Sequence, residues 1–313
     1  MTTLAKAHPN IALIKYWGKQ HTAGNIPATP SLSITLDTLT STTRLNTAAQ
    51  DSFTLNGSLV DDPKIAACLA ILREQYEIPP LVVVSDNNFP TAAGLASSAS
   101  GFAALITAIN HHCSLEMSQA QQSAFAREAS GSAARSIFGG YVGLSQPDWV
   151  AKPLLDAELW PLRVVIAITD ERPKSVSSTV GMQRSQESSP FYPTWVADSE
   201  ADYLQAETAV AQQDFAALAQ LAQASCLKMH AVMQSSQPPL IYWNPATLAC
   251  LERIREMQDT GLEVFFTIAA GPQVKAVCTA EFEAEVTQAL ANVAGVRRTL
   301  TVGLGTGATI DDT

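Results

Sequence analysis

Two lysines four residues apart stand near the start of the chain, with an aromatic pair between them. Lys15, Tyr16, Trp17 and Lys19 follow Asn10 and the apolar run Ile11–Ile14. Two cations beside two aromatic rings are an unusual choice for a surface and a suitable one for a pocket that binds an anion. The alternative is a strand end with solvated lysines and a packed Trp17. This segment alone leaves both interpretations open.

A second segment, at residues 89–101, is rich in Gly, Ala and Ser and leads into a predicted helix. Gly and Ala let a backbone approach a ligand closely, and helix N-terminal amides attract an anion, reinforced here by the hydroxyls of Ser97 and Ser98. The segment lacks the Gly-Lys-Ser/Thr ending of a Walker loop and does not read G-x-G-x-x-G. It therefore predicts a phosphate site, with a serine-capped, tightly packed helix as the alternative.

A third segment, at residues 130–141, begins Ser-Gly-Ser-Ala-Ala-Arg. We expect Ser130 to cap a helix that starts near Gly131, which places Ser132 and Arg135 on one helix face. Two hydroxyls and a guanidinium are suited to a diphosphate, because arginine can bind two oxygens at once. A capped helix with a surface arginine is the alternative.

Strands and helices that must position these segments follow from the hydrophobic periodicity. The pattern predicts strands at 31–36, which alternates and should be half-buried, and at 81–84, 164–168, 264–268 and 299–302. It predicts helices at about 98–110, 118–128 and 247–257, and one or two more within 199–233. Because strands and helices mix without a regular βαβ alternation, the expected fold class is α+β, with a domain boundary between residues 170 and 190.

Composition limits the possible partners of this 313-residue chain. It carries 19 Lys and Arg against 29 Asp and Glu, a net charge of −10 that disfavours nucleic acids and anionic membranes but permits a small anion in a basic pocket. No apolar run approaches the roughly 20 residues of a membrane span, and the first residues do not resemble a signal peptide. The five scattered cysteines fit reduced core residues, so we expect a cytoplasmic protein.

The three segments together resemble the diphosphomevalonate decarboxylase family of the GHMP kinase superfamily. Residues 10–19, 90–101 and 130–141 are similar to its N-terminal signature, its phosphate loop and its Ser-Gly-Ser-x-x-Arg segment. Residues 177–182 and 270–272 match two further family segments. Five motifs in the family's order, spread over residues 10–272, make coincidence very improbable.

The resemblance implies a two-domain fold with the active site in the cleft between the halves. Residues 1–180 would form a half like domain 2 of ribosomal protein S5, which carries the phosphate loop, and residues 181–313 a ferredoxin-like half. Family enzymes use ATP with Mg²⁺ to phosphorylate the C3 hydroxyl of mevalonate 5-diphosphate, and the phosphate leaves as CO2 is lost, which yields isopentenyl diphosphate. Family members are often homodimers.

The same resemblance assigns roles to individual residues. Lys15 would lie near the reacting hydroxyl, Arg135 would also orient the carboxylate that leaves, and Ser98 would handle the ATP phosphates with Mg²⁺. The ATP site would comprise Ala93, Gly94, Leu95, Ala96, Ser97 and Ser98. The substrate site would comprise Tyr16, Trp17, Lys19, Ser130, Gly131, Ser132, Arg135, Ser178 and Met182.

One position departs from the family pattern. The family motif reads Asp-Ala-Gly-Pro, with the aspartate as the presumed base, whereas this chain has Ala269 at that place, before Ala270-Gly271-Pro272. Loss of a positioned base typically lowers the rate by about 100- to 10,000-fold. We therefore expect a pocket that binds its substrate and fails to turn it over.

Three explanations of Ala269 stay open: an Asp→Ala form of a decarboxylase that traps substrate, a natural relative with different chemistry, and an inactive paralogue. The second includes a mevalonate or phosphomevalonate 3-kinase that does not decarboxylate, and the third a non-catalytic module that binds a diphosphate. Such kinases tend to alter the lysine and arginine as well. Retention of Lys15 and Arg135 therefore favours the decarboxylase background.

Overall fold

The computed structural model describes residues 2–20, 23–89, 97–172 and 174–311. The strands are β1 (Thr3–Ala7), β2 (Asn10–Ile14), β3 (Ser31–Thr35), β4 (Ser41–Thr47), β5 (Ser52–Leu55), β6 (Ser58–Leu59), β7 (Leu81–Asn87), β8 (Tyr141–Leu144), β9 (Ala151–Leu155), β10 (Arg163–Ile168), β11 (Val264–Ile268), β12 (Val274–Cys278), β13 (Arg298–Val302) and β14 (Thr309–Ile310). The helices are α1 (Pro63–Arg73), α2 (Ser97–His112), α3 (Gln119–Ala129), α4 (Ala133–Ser136), α5 (Ser178–Ser188), α6 (Tyr192–Gln212), α7 (Phe215–Gln234), α8 (Pro245–Asp259) and α9 (Glu283–Ala291).

A six-stranded sheet in the order β14-β1-β4-β7-β5-β6 forms one side of the N-terminal half. Helix α2 packs on β1 and β4, and the small side chains of Ala103, Ala104 and Ala108, all fully buried, allow the close approach. The chain end returns to this sheet, because β14 pairs with β1. This helix–sheet layer fixes the direction in which the first turn of α2 points.

A second sheet, β2-β3-β8-β9, lies behind the third segment of the sequence analysis. Its strand β3 alternates as predicted, but every residue is buried, so the expectation of a half-buried strand is wrong. Leu32 and Ile34 face a hydrophobic core, while the hydroxyls of Ser31 and Ser33 accept hydrogen bonds from Arg135. The polar face of β3 therefore meets a buried guanidinium instead of water.

The third sheet, β11-β12-β10-β13, belongs to the C-terminal half and is covered on both faces. Its alternate residues pack against α8 and α9 on one side, where Phe266 and Ala276 lie in a core with Ile254 and Leu290. The opposite face is directed toward the rest of the molecule. Helix α7 packs on both β11 and β2, so it joins the two halves.

The predicted α+β class is confirmed. The helices and strands predicted from the hydrophobic periodicity are also found, with their ends shifted by a few residues. One cap is wrong: Ser130 ends α3, since its backbone is extended (φ −155°) and its N–H donates to Ala126 O. The next helix, α4, is a single turn preceded by Ser132. The division into 1–180 and 181–313 stays a prediction. Within the described residues, no helix has the length and apolarity needed to cross a bilayer.

Candidate functional site

A cavity of about 910 Å³ lies between the two halves of the molecule. Elements β4, β5, β7, α1 and α2 line one side of it, and α5 with the ends of β11 and β12 line the other. Among the described residues, six basic side chains but only two acidic ones, Asp62 and Glu128, contribute to the wall. The basic residues are Lys15, Lys19, Lys64, Arg135, Lys174 and Lys275. The cavity is thus a local cationic region in a chain of net charge −10.

Arg135 lies at the base of the cavity and is 1% exposed. Its guanidinium donates to Ser31 Oγ at 2.6 Å and Ser33 Oγ at 3.1 Å, with Asn10 Oδ1 at 3.4 Å from Nη2. All three acceptors are neutral, and no carboxylate of the described residues forms an ion pair with it. Burial lowers the pKa of this guanidinium to about 10. A buried cation without a counter-ion is a strong reason to expect an anionic ligand.

Lys15 is the second buried cation, 2% exposed, at the end of β2. Its Nζ donates to Ala12 O at 2.8 Å and to the hydroxyl of Thr267 on β11. Burial, and then repulsion by Arg135, lower the pKa of the Lys15 amine to about 8. The chain therefore holds a weakly basic amine at the point where the two halves meet.

Tyr16 points its hydroxyl at Gly131, and a Cβ at that position would lie only 2.5 Å from Tyr16 Oη. The oxygen is buried, and no group of the described chain hydrogen-bonds to it. Burial raises the pKa of this phenol to about 12, so it remains a hydrogen-bond donor at neutral pH. Ser130 and Ser132 flank Gly131 with their Oγ atoms 3.4 Å apart, which brings three hydroxyls to one part of the wall.

Four other predicted substrate residues also line the cavity. Lys19 Nζ donates to Asn25, and burial lowers the pKa of the Lys19 amine. Ser178 Oγ accepts from Lys174 Nζ at 2.6 Å. Trp17 is 2% exposed and its indole donates to Ser185 Oγ, so it serves mainly as packing beside Met182.

The phosphate loop reaches the described structure only at its end. Ser97 and Ser98 form the first turn of α2 and line the cavity, with the side chain of Ser98 exposed. The predicted ATP residues Ala93, Gly94, Leu95 and Ala96 lie outside the described residues. The positive end of the 16-residue helix α2 faces the cavity at Ser97.

An apolar lobe extends from this helix end between α1, α2 and β7. Its wall includes Cys68, Ile71, Val83, Phe102 and Leu105. Its apolar lining is of the kind that surrounds a heterocycle. Lys64, Ile65 and Ala67 at the start of α1 also line the cavity.

Sequence reasoning missed Lys275, which is 2% exposed and lines the cavity together with Ala269. A signal was present, because a lysine stands alone in the apolar strand Val274-Lys275-Ala276-Val277-Cys278. Lys174 was missed as well. It lies in the polar loop before α5, which gave no reason to prefer it over the neighbouring charges.

Two family models match most of the chain. A family model described as the diphosphomevalonate decarboxylase-like N-terminal domain matches residues 7–149. A second, the mevalonate 5-diphosphate decarboxylase C-terminal domain, matches residues 164–303. The chain belongs to the diphosphomevalonate decarboxylase family. The family resemblance and the two-domain fold expected from the motifs are therefore confirmed.

Individual relatives of this family align over most of their length. The diphosphomevalonate decarboxylase of Candida albicans is 36% identical over 290 residues, which cover 84% of this chain and 80% of the relative. That of Ganoderma lucidum is 37% identical over 303 residues, covering 86% and 76%.

Solved structures of the family are equally similar. The mevalonate diphosphate decarboxylase from Enterococcus faecalis superposes with a TM-score of 0.90 at 34% identity, over 100% of this chain and 99% of that one. The Staphylococcus aureus enzyme gives 0.92 at 33% identity, over 99% and 98%. A structure described as MDDEF in complex with MVAPP, AMPPCP and magnesium gives 0.92 at 35% identity, over 100% and 99%.

Proposed function

We propose that this chain binds mevalonate 5-diphosphate and ATP–Mg²⁺ in the cavity and converts them to isopentenyl diphosphate, ADP, phosphate and CO2. The observation that carries this proposal is the buried Arg135 guanidinium beside Lys15, both directed at the cavity and without a carboxylate partner among the described residues. A cation buried in this way is stabilised when an anion binds, because the ligand supplies the missing charge. Membership of the decarboxylase family specifies which anion.

The diphosphate of the substrate would lie against the three hydroxyls of the cavity wall, those of Tyr16, Ser130 and Ser132. Tyr16 Oη has no hydrogen-bond partner among the described residues, and the Oγ atoms of Ser130 and Ser132 are adjacent, so each can donate to a phosphate oxygen. Lys19 would add charge at this end. Arg135 presents its fork to the substrate carboxylate, and Lys15 would lie at the reacting hydroxyl.

The second substrate would enter from the α2 side. We assign the adenine ring to the apolar lobe and the phosphates to Ser97, Ser98 and the segment that precedes them. Mg²⁺ binds through few protein oxygens and several phosphate oxygens and waters, and the exposed hydroxyl of Ser98 at a helix start fits that donor set. Magnesium when bound would neutralise charge on the phosphates. The chain contributes the helix dipole and the lysines of the cavity.

The test combines binding and product analysis on the purified chain. We expect mevalonate 5-diphosphate to bind in isothermal titration calorimetry. We also expect ATP-dependent release of CO2 and free phosphate, whereas the expectation drawn from Ala269 in the sequence analysis was binding without turnover. Arg135→Gln should weaken substrate binding by at least about 100-fold, because two charge-assisted hydrogen bonds are lost. Arg253→Gln, an exposed arginine of α8 that pairs with Glu256, is the matched control and should leave the affinity unchanged.

The products distinguish the alternatives. A stable phosphorylated acid, formed without CO2, would indicate a 3-kinase. Ala269 by itself does not favour a 3-kinase over a decarboxylase. Tight binding of mevalonate 5-diphosphate without any product, also after Ala269→Asp, would indicate a non-catalytic diphosphate-binding paralogue. No binding at all would refute the proposal.

Assembly and compartment belong to the same proposal. A homodimer is supported by family habit and by exposed apolar side chains on the paired helices α6 and α7, with Leu204 52% and Leu227 38% exposed. A cytoplasmic location is supported by five cysteines that form no disulfide. Sedimentation equilibrium of the wild type tests the homodimer, since a monomer at micromolar concentration would refute it.

A further inference from the structure

Lys275 is a charged side chain inside an apolar strand. Strand β12 is buried at every residue, and Val274, Ala276 and Cys278 face the core under α8 and α9. Lys275 and Val277 lie on the opposite face of the strand. The Lys275 side chain therefore points away from that core and toward the cavity. Its Nζ donates to Gln273 O at 3.2 Å, so the amine lies at the edge of the cavity, in a position where proteins seldom place a charged side chain.

Strand register puts this lysine beside Lys15. Lys275 is paired with Thr267 across β11 and β12, so their side chains stand on one face about 5 Å apart at Cβ. The Thr267 hydroxyl in turn accepts from Lys15 Nζ. Ala269 follows Thr267 by two residues and also lines the cavity. Two amines therefore meet on the wall where the alanine leaves room.

These two amines oppose each other's protonation. Burial, and then repulsion by Lys15, lower the pKa of the Lys275 amine to about 7. Among the described residues, Cys226 and His230 of α7 and Lys174 before α5 are further titratable groups near it. At neutral pH a substantial share of Lys275 is thus the neutral amine, which is a base.

The neighbouring groups are poorer proton acceptors. Burial and the two lysines lower the pKa of His230 to about 3, and its Nε2 accepts from Trp243 at 3.3 Å. Burial raises the pKa of the Cys226 thiol, so the thiolate is scarce. The two carboxylates of the wall are engaged elsewhere, since Asp62 caps α1 and Glu128 pairs with Arg127.

We propose that Lys275 is the proton acceptor of this enzyme, in place of a carboxylate at position 269; this rests on the proposed function. The neutral amine takes the proton of the substrate C3 hydroxyl, whose oxygen bonds to the γ-phosphorus of ATP as the bond to ADP breaks. Lys15 remains protonated beside the transferred phosphoryl group. The phosphate then leaves with the electrons of the C3–O bond. The bond to the carboxylate breaks, its electrons form the C=C bond of isopentenyl diphosphate, and CO2 departs. The Lys275 ammonium returns its proton to solvent.

The experiment compares four proteins: wild type, Lys275→Met, the double variant Lys275→Met/Ala269→Asp, and Ala269→Asp. Wild type should release CO2, and Lys275→Met should lose about 100- to 10,000-fold in kcat while its affinity for mevalonate 5-diphosphate changes less than about threefold. The double variant should recover activity, because a carboxylate then stands beside Lys15. Retained calorimetric binding shows that each variant is folded, and Lys152→Met, an exposed lysine of β9, is the control.

The pH dependence of kcat/KM distinguishes a proton-accepting role of Lys275 from a purely structural one. The kcat/KM of wild type should fall below about pH 7, where the Lys275 amine is protonated. In the double variant this acid limb should move toward the carboxylate range near pH 4. If Lys275 were only structural, the acid limb of the kcat/KM profile would lie at the same pH in both proteins.

Two results overturn the inference while the proposed function stands. One is a Lys275→Met variant with wild-type kcat and an unmoved acid limb. The other is an inactive wild type that gains activity from Ala269→Asp alone, which means the pocket has no base of its own. Absence of substrate binding in all four proteins would instead refute the proposed function.

Discussion

Replacing Lys275 by methionine should stabilise the ligand-free protein. The pKa of the amine falls from 10.5 in the unfolded chain to about 7 in the fold, a difference that costs about 4 kcal/mol at pH 7. Methionine fills a similar volume without this cost. The lost hydrogen bonds of the amine, among them the one to Gln273 O at 3.2 Å, offset about 1 to 2 kcal/mol. We expect a net gain of about 3 kcal/mol at pH 7.

The size of this gain should depend on pH. Between pH 7 and 10.5 the unfolded state binds more protons than the folded one at Lys275, so the stability of wild type rises with pH at this site. The methionine variant lacks that contribution. Its advantage should shrink by about 1.4 kcal/mol per pH unit above 7 and be close to zero near pH 9.

Urea unfolding of both proteins at pH 7, 8 and 9 measures the difference between their free energies of unfolding. The steps of about one pH unit match the range over which a single group titrates. Lys152→Met on β9 is the control, because its side chain stands in solvent and should change the free energy of unfolding by no more than about 0.5 kcal/mol at every pH. A Lys275→Met variant that is less stable at pH 7, or whose advantage is constant from pH 7 to 9, would refute the claim that this amine is buried at a cost.

Three further predictions concern the rest of the cavity. Gly131→Ala should push Tyr16 aside, since its Cβ would lie 2.5 Å from Tyr16 Oη, and lower kcat/KM by about 10- to 100-fold in steady-state assays; unchanged kinetics would mean that Tyr16 does not contact substrate. Tyr16→Phe should weaken mevalonate 5-diphosphate binding by about tenfold in calorimetry without lowering the melting temperature, because the hydroxyl has no partner in the described ligand-free chain. Removal of Mg²⁺ by EDTA should abolish turnover yet leave mevalonate 5-diphosphate binding intact; loss of that binding would move the metal to the substrate end.

Local patterns predicted the elements well, because helices and strands follow from periodicity within a short window. Strand β11 was predicted at the residues where it is found, 264–268. Ser130 shows the limit of such reasoning: a serine between two helical stretches can end one or begin the next, and only the backbone conformation decides. The alternation of β3 was seen, but the sequence could not show that its polar face meets Arg135.

Sequence by itself determined the residue types and their order. It placed the family motifs, the cations Lys15 and Arg135 and the alanine at position 269, and it gave a net charge that disfavours nucleic acids. These properties are carried by single residues and short segments, so no fold is needed to see them.

Only the tertiary structure decided which cations share one space. Lys15 and Thr267 are 252 positions apart in the chain, and Lys275 joins them through the register of β11 and β12. A pKa depends on desolvation and on charges nearby in space, which distance along the chain does not express. Long-range packing therefore turned an ordinary strand lysine into a buried amine with a pKa of about 7, on the cavity wall that Ala269 also lines.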